Sequence, residues 1–170
     1  MIDTKTFITK GAVCCLALCS TTLALGAVNI ELEVQGSQLV VTKNNAQCAG
    51  GDIGCIEIQP GTQPHMFFTL KGGCSSGYKL SNFRISEGYK QPPSSNNPLN
   101  ANIAGDFCAD ASSGFVNFSS CDNDLNDSKM KIKNYNRSVV TVYYDVEVAN
   151  CGNGSDVITL DPQIRNGGGN

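Results

Sequence analysis

The residues with chemistry to offer in this chain are its cysteines, a single histidine and one run of carboxylates and amides. Cys48, Cys55, Cys74, Cys108, Cys121 and Cys151 are scattered, and no two of them have the close spacing of a zinc site. Such a set reads as a disulfide framework. Cys48 and Cys55 flank Ala49-Gly50-Gly51-Asp52-Ile53-Gly54, a glycine-rich span able to curl back on itself. Cys108 and Cys121 bracket another loop and strand, while Cys74 and Cys151 each follow a strand-like run. The expected bridges are therefore Cys48–Cys55, Cys108–Cys121 and Cys74–Cys151.

Asp122-Asn123-Asp124-Leu125-Asn126-Asp127 carries oxygen side chains at its first, third and fifth positions, as a calcium loop does. Asp122, Asp124 and Asn126 are the candidate ligands. Asp127 stands where that loop bends on a glycine, and Lys133 stands where a bidentate glutamate closes it. The run thus reads first as a polar turn, which Asp and Asn stabilise through their own side chains. No metal or other cofactor is expected.

His65 is the only histidine. A blue-copper centre needs two histidines and a cysteine, so it is excluded. His65 would also have to serve as the sole base for any Ser or Cys nucleophile. It reads instead as a strand-edge residue, and the protein is expected not to be an enzyme. Two carboxylates for glycosidic chemistry need only meet in space, which leaves a carboxylate-based hydrolase as a third reading.

Two further features bear on partners. Lys129, Lys131 and Lys133 share one face of a strand, either to meet an acidic partner or to guard a sheet edge, the commoner use of edge lysines. Tyr89 adjoins the polar stretch Pro92-Pro93-Ser94-Ser95-Asn96-Asn97-Pro98 and could belong to a surface that binds sugar or peptide.

The elements that must position these residues are strands. Asn29 to Gln35 alternates polar and apolar, and Gly36-Ser37 turns it toward Gln38 to Lys43. Cys55 to Gln59 alternates and stops at Pro60-Gly61. His65 to Leu70, Tyr78 to Glu87, Phe115 to Ser119 and Ser128 to Lys133 follow. The clearest strand is Ser138 to Ala149, in which Val140, Val142, Tyr144, Val146 and Val148 line one face without a polar break. Val157 to Leu160 is the last, ahead of Asp161-Pro162. No helical period is sustained anywhere after residue 28. About seven to nine short strands between turns predict an all-β, antiparallel, immunoglobulin-like sandwich held by disulfides.

A basic start at Lys5 and Lys10, an apolar stretch from Gly11 and the small-residue exit Ala24-Leu25-Gly26-Ala27 make the three parts of a secretory signal peptide. Cleavage after Gly26 and after Ala27 both fit. Residues 1–27 are expected to be that signal, and residues 28–170 one domain with no membrane span after cleavage. Export agrees with disulfides, which persist in oxidising compartments. Without Asp3, Lys5 and Lys10 the domain holds fourteen acidic and ten basic residues, a net of −4. Nucleic acid is excluded, because phosphate contacts need clustered Lys and Arg.

Val142-Tyr143-Tyr144-Asp145-Val146-Glu147-Val148, then a glycine-bearing turn, then Leu160-Asp161-Pro162-Gln163-Ile164-Arg165-Asn166, resembles the ending of the DP-EP family of small bacterial proteins. Asp161, Pro162, Ile164 and Asn166 carry the motif, although the chain has no Glu-Pro and offers only Gln59-Pro60 in its place. The resemblance implies an immunoglobulin-like sandwich, no assigned activity and a periplasmic or extracellular home. Together these readings point to an exported, non-catalytic module that binds a protein or carbohydrate ligand. The alternative is a structural or self-assembling surface protein.

Overall fold

The fold was obtained as a computed structural model, and residues 27–168 are described. All but Ala27 of the expected signal segment lies outside that range. Ten strands and one short helix follow one another as β1 (Val28–Gln35), β2 (Gln38–Asn44), β3 (Ile56–Ile58), β4 (His65–Leu70), β5 (Tyr78–Ser86), α1 (Ala101–Phe107), β6 (Asp124–Leu125), β7 (Lys129–Lys133), β8 (Val139–Asn150), β9 (Ile158–Leu160) and β10 (Gln163–Gly167). They form a two-sheet, all-β sandwich. One sheet has the order β2-β1-β4-β7-β6; the other has β3-β10-β8-β5, with β9 also on β8.

Alternation in the sequence decides which side chains meet between the sheets. Ile30 and Leu32 of β1, Met66, Phe68 and Leu70 of β4, and Val142, Tyr144, Val146 and Val148 of β8 are all buried. Phe68 links the layers, with its ring 5.2 Å from that of Phe83 on β5 and 5.6 Å from that of Tyr144. Tyr144 and Phe83 stack at 5.3 Å. The Tyr144 hydroxyl, deep in this core, donates to the Gly54 carbonyl at 2.7 Å, which satisfies a group that would otherwise be costly to bury.

The sheets are mixed, not purely antiparallel. β1 runs parallel to β4, and β3 runs parallel to β10. After the β1–β2 hairpin the chain crosses to the other sheet for β3 and then returns, so β4 arrives beside β1 pointing the same way. The run Phe115 to Ser119 is not a strand; Phe115 and Val116 make only single bridges, to Arg84 and Ala109. Conversely, Asp124–Leu125 and Gln163–Gly167 are strands that alternation does not announce.

The helix α1, just past the polar stretch Pro92 to Pro98, corrects the expectation that no helical segment follows residue 28. The Asn100 side chain accepts from the Asn102 N–H and caps its start. Cys108, in the left-handed region at φ 52°, closes it. Seven residues are too few for a 3.6 period to stand out, yet Ile103, Ala104 and Phe107 of α1 reach the core.

The cysteines are joined as Cys48–Cys55, Cys74–Cys151 and Cys108–Cys121. Opposite them in character is a buried polar clamp. The Asn134 amide donates to Asn166 Oδ1 at 2.8 Å, and Asn136 Nδ2 donates to the carbonyls of Gln59 and Thr62. Asn136 Oδ1 accepts from the Gly168 N–H, and Asp106 of α1 accepts from the N–H groups of Arg137 and Ser138. The clamp joins α1, the β3–β4 turn, the β7–β8 connection and the end of the chain.

Candidate functional site

The site grows from the register of three neighbouring segments. Arg84 on β5 pairs with Asp145 on β8. On the other side of β8, Val146 pairs with Leu160 and Tyr143 pairs with Gln163. Both pairings keep one register, so Asp161 lies opposite Asp145 and Pro162 opposite Tyr144. The Asp161-Pro162 step interrupts the ladder without shifting it. Pro162 has no N–H to give, but its carbonyl accepts from the Tyr144 N–H at 3.0 Å. Pro162 also sits on Gly54, where an added Cβ would come within 2.9 Å of the proline Cβ.

Arg84, Asp145 and Asp161 therefore form a row across the second sheet. The Arg84 guanidinium donates from both Nε and Nη2 to Asp145 Oδ2. Arg84 also lies 5.5 Å from the Phe115 ring centroid. Asp161 has no such cation. Its Oδ1 is out of solvent reach and receives no hydrogen bond. Burial raises its pKa above the usual carboxylate value, and the neighbouring Asp145 carboxyl raises it further. Lys90 and Arg84 act in the opposite sense. The two carboxyls thus differ: Asp145 is bonded to Arg84, whereas Asp161 is biased toward keeping its proton.

Next to Asp161 the surface is concave. Asp52, Tyr89, Tyr143, Asp161, Pro162 and Gln163 line a hollow of about 350 Å3 beside the Cys48–Cys55 bridge. Tyr143 projects from β8 on the same side as Asp145, and Tyr89 packs against it with ring centroids 5.6 Å apart. Tyr89 nonetheless remains 55% exposed. Lys90 follows in the left-handed region at φ 53°, which brings its ammonium to 5.1 Å from the Tyr89 centroid. An exposed aromatic pair, two carboxylates and one amide around a hollow make a surface for a polar ligand with an apolar or cationic part.

The other candidates lie elsewhere. Asp122 bonds to the Lys131 ammonium, and its Oδ2 is 2.8 Å from His65 Nε2. The Lys131 hydrogen bond is the main reason its pKa is lowered. Asn126 Oδ1 accepts from the N–H groups of Ser128 and Lys129 and makes a turn, while Asp124 pairs with Lys131 in the β6–β7 ladder. Asp122, Asp124 and Asn126 are each engaged in a separate task rather than gathered as ligands. Among the described residues no three His, Cys, Asp or Glu side chains are placed to hold a metal. His65 is the first residue of β4, the central strand of its sheet, and lies opposite Lys133 of β7.

Lys129, Lys131 and Lys133 lie on β7, which only the two-residue β6 separates from the sheet edge. Gly73-Cys74-Ser75-Ser76-Gly77 has the spacing of a nucleophile elbow, but it forms a 3-10 turn between β4 and β5. Cys74 within it is bridged to Cys151. Pro92 to Pro98 folds into tight bridges around a smaller hollow of about 200 Å3. Of the motif residues, Ile164 and Asn166 are buried, and Asp161 and Pro162 reach the surface. Asp161 could be singled out as part of a motif, whereas its meeting with Asp145 and Tyr143 follows from register and its meeting with Asp52 from the Cys48–Cys55 loop.

Among the described residues no helix is long and apolar enough to cross a membrane. Comparison with known protein families gives no match for this chain, and comparison with curated proteins gives none.

Proposed function

We propose that the protein is an exported, non-catalytic binding module of the DP-EP kind, with an immunoglobulin-like sandwich as its scaffold. Its ligand, a protein or a carbohydrate, is received at the hollow beneath Tyr89 and Tyr143. The observation that carries this reading is the exposed Tyr89 ring packed on Tyr143 above the Asp161 carboxyl. A large aromatic left in water next to a concave polar surface is the arrangement that binding sites use. The three disulfides suit an oxidising compartment, and periplasmic or extracellular residence follows from the proposed signal.

One observation favours a second reading, that of a hydrolase: Asp145 and Asp161 do converge. They are register neighbours on adjacent segments, and of the two only Asp161 lines the hollow, whereas glycosidic chemistry needs both carboxyls around the bond. Asp145 is further committed to Arg84.

The test compares capture of the secreted protein and of its Tyr89→Ala variant on an array of peptides and oligosaccharides. Capture of the parent with loss in the variant is expected. Equal capture of both, or turnover of an arrayed substrate, would overturn the reading.

A further inference from the structure

We infer that the hollow is a receptor for a primary ammonium group, which sits between the Tyr89 and Tyr143 rings and the carboxylates of Asp161 and Asp52. This deepens the binding reading by naming the chemistry of its ligand.

Charge is the first ground. Asp52 and Asp161 are among the residues lining the hollow, and none of those residues is basic. Arg84 cannot serve, because its guanidinium is taken up by Asp145 and rests against Phe115. The rest of the lining is two phenol rings, a proline, a disulfide sulfur and an amide. Carboxylates beside exposed aromatic faces attract cations, since the negative face of a ring and the anion act on the same charge.

The second ground is already occupied by the chain itself. Lys90 adopts a positive φ, uncommon for a residue with a side chain, and its ammonium rests against the face of Tyr89. That tethered group is an alkylammonium already placed over the ring. Lys90 lies outside the lining and is solvent-exposed, so it can be exchanged for an incoming amine at little cost.

The third ground is the state of Asp161. It stands opposite Asp145 in the ladder and lines the hollow at the same time. A carboxyl crowded by Asp145 gains most from an added positive charge, because the newcomer offsets the repulsion that the pair now carries. The amine can come from a lysine side chain of a polypeptide partner or from a free polyamine.

The test uses the full chain with ring-labelled tyrosine, titrated at low salt with Nα-acetyl-lysine methylamide, a short lysine peptide, spermidine and a neutral oligosaccharide. Saturable shifts of Tyr89 and Tyr143 with the amines are expected, and none with the sugar. Tighter binding of the peptide assigns the source to a polypeptide, and tighter binding of spermidine to a free polyamine. Asp161→Asn should weaken amine binding by about tenfold or more, the usual scale for a lost charge-assisted contact. Lys90→Ala should strengthen it, because the tethered competitor is gone, an effect that simple damage to the fold does not produce. Tyr89→Ala, at an exposed position, tests the aromatic contribution without touching the core. Amines that leave both rings unmoved, or an Asp161→Asn variant of unchanged affinity, overturn the inference. Shifts with the oligosaccharide alone would sink the ammonium assignment while leaving the binding reading intact, and silence from every probe would sink both.

Discussion

Asp145 and Asp161 face each other across the seam between β8 and the β9–β10 segment, in the one register that also pairs Val146 with Leu160 and Tyr143 with Gln163. Their proximity has a consequence for stability. Asp161 has an ordinary pKa of 3.8 in the unfolded chain and a raised one in the fold. The folded state therefore holds this proton more tightly, and stability drops as pH climbs through the raised value. Asp161→Asn removes the loss. The variant should resist urea better than the parent near neutral pH, and the two should converge once pH falls below the ordinary carboxylate range. A variant less stable at neutral pH would show that the Asp161 charge is compensated.

The same titration governs binding, with the opposite profit. Only the ionised Asp161 attracts an ammonium group, so amine affinity should fall as the solution is acidified through the raised pKa. Affinity measured from neutral pH down to the ordinary carboxylate range checks this, and a flat profile contradicts it. The residue thus costs stability in the state in which it binds.

Asn136 is fully buried and makes hydrogen bonds to Gln59, Thr62 and Gly168, with its own N–H on Asn134. Asn136→Ala would leave the Thr62 carbonyl and the Gly168 N–H without partners, while the Gln59 carbonyl keeps its bonds from Thr62. A loss of about 2–4 kcal/mol is expected in urea unfolding, from roughly 1–3 kcal/mol for each unsatisfied buried group and partial rescue by water. A loss below about 0.5 kcal/mol would place the clamp in solvent reach.

Cys74–Cys151 closes a separation of 77 residues and Cys48–Cys55 one of 7. If the bridges act by restricting the unfolded chain, removing the long one costs about 4.5 kcal/mol and the short one about 2.4 kcal/mol. Paired Cys→Ala variants compared by denaturant midpoint test the order. A greater loss at Cys48–Cys55 would mean that its loop acts mainly through the native state, where it carries Gly54 against Pro162 and Tyr144.

Added calcium should leave the melting temperature where a chelator leaves it, because Asp122 is bonded to Lys131 and Asn126 to backbone N–H groups. A rise in melting temperature with Ca2+ would restore Asp122, Asp124 and Asn126 as ligands.

What the sequence made legible was whatever depends on local period. β1 and β8 declare themselves by alternation, which selects the buried Ile30, Leu32, Val142, Tyr144, Val146 and Val148; in β8 Val140 is only half-buried, and Asp145 and Ala149 of the opposite face are buried as well. α1 stayed hidden because seven residues hold barely two turns, although Pro98 and the capping Asn100 are genuine start signals. β10 stayed hidden because Pro162 reads as the end of a strand, whereas the ladder loses only one N–H there and resumes at Gln163. The buried asparagines could not be told from loop residues, since what distinguishes them is partners about 30 to 80 positions away in the chain. The site divides in the same way. Tyr89 stood out as an aromatic beside a polar loop, but its companions Tyr143, Asp161 and Asp52 come from three segments that only the sheet register and the Cys48–Cys55 loop bring together.

The most direct measurement follows the five tyrosine rings by NMR while lysine peptides, polyamines and oligosaccharides are added in turn. The account predicts that Tyr89 and Tyr143 respond together and saturably to the amines, while Tyr78, Tyr135 and the buried Tyr144 keep their positions. Rings at 89 and 143 that ignore every addition, or a response centred on Tyr78 or Tyr135, would contradict it.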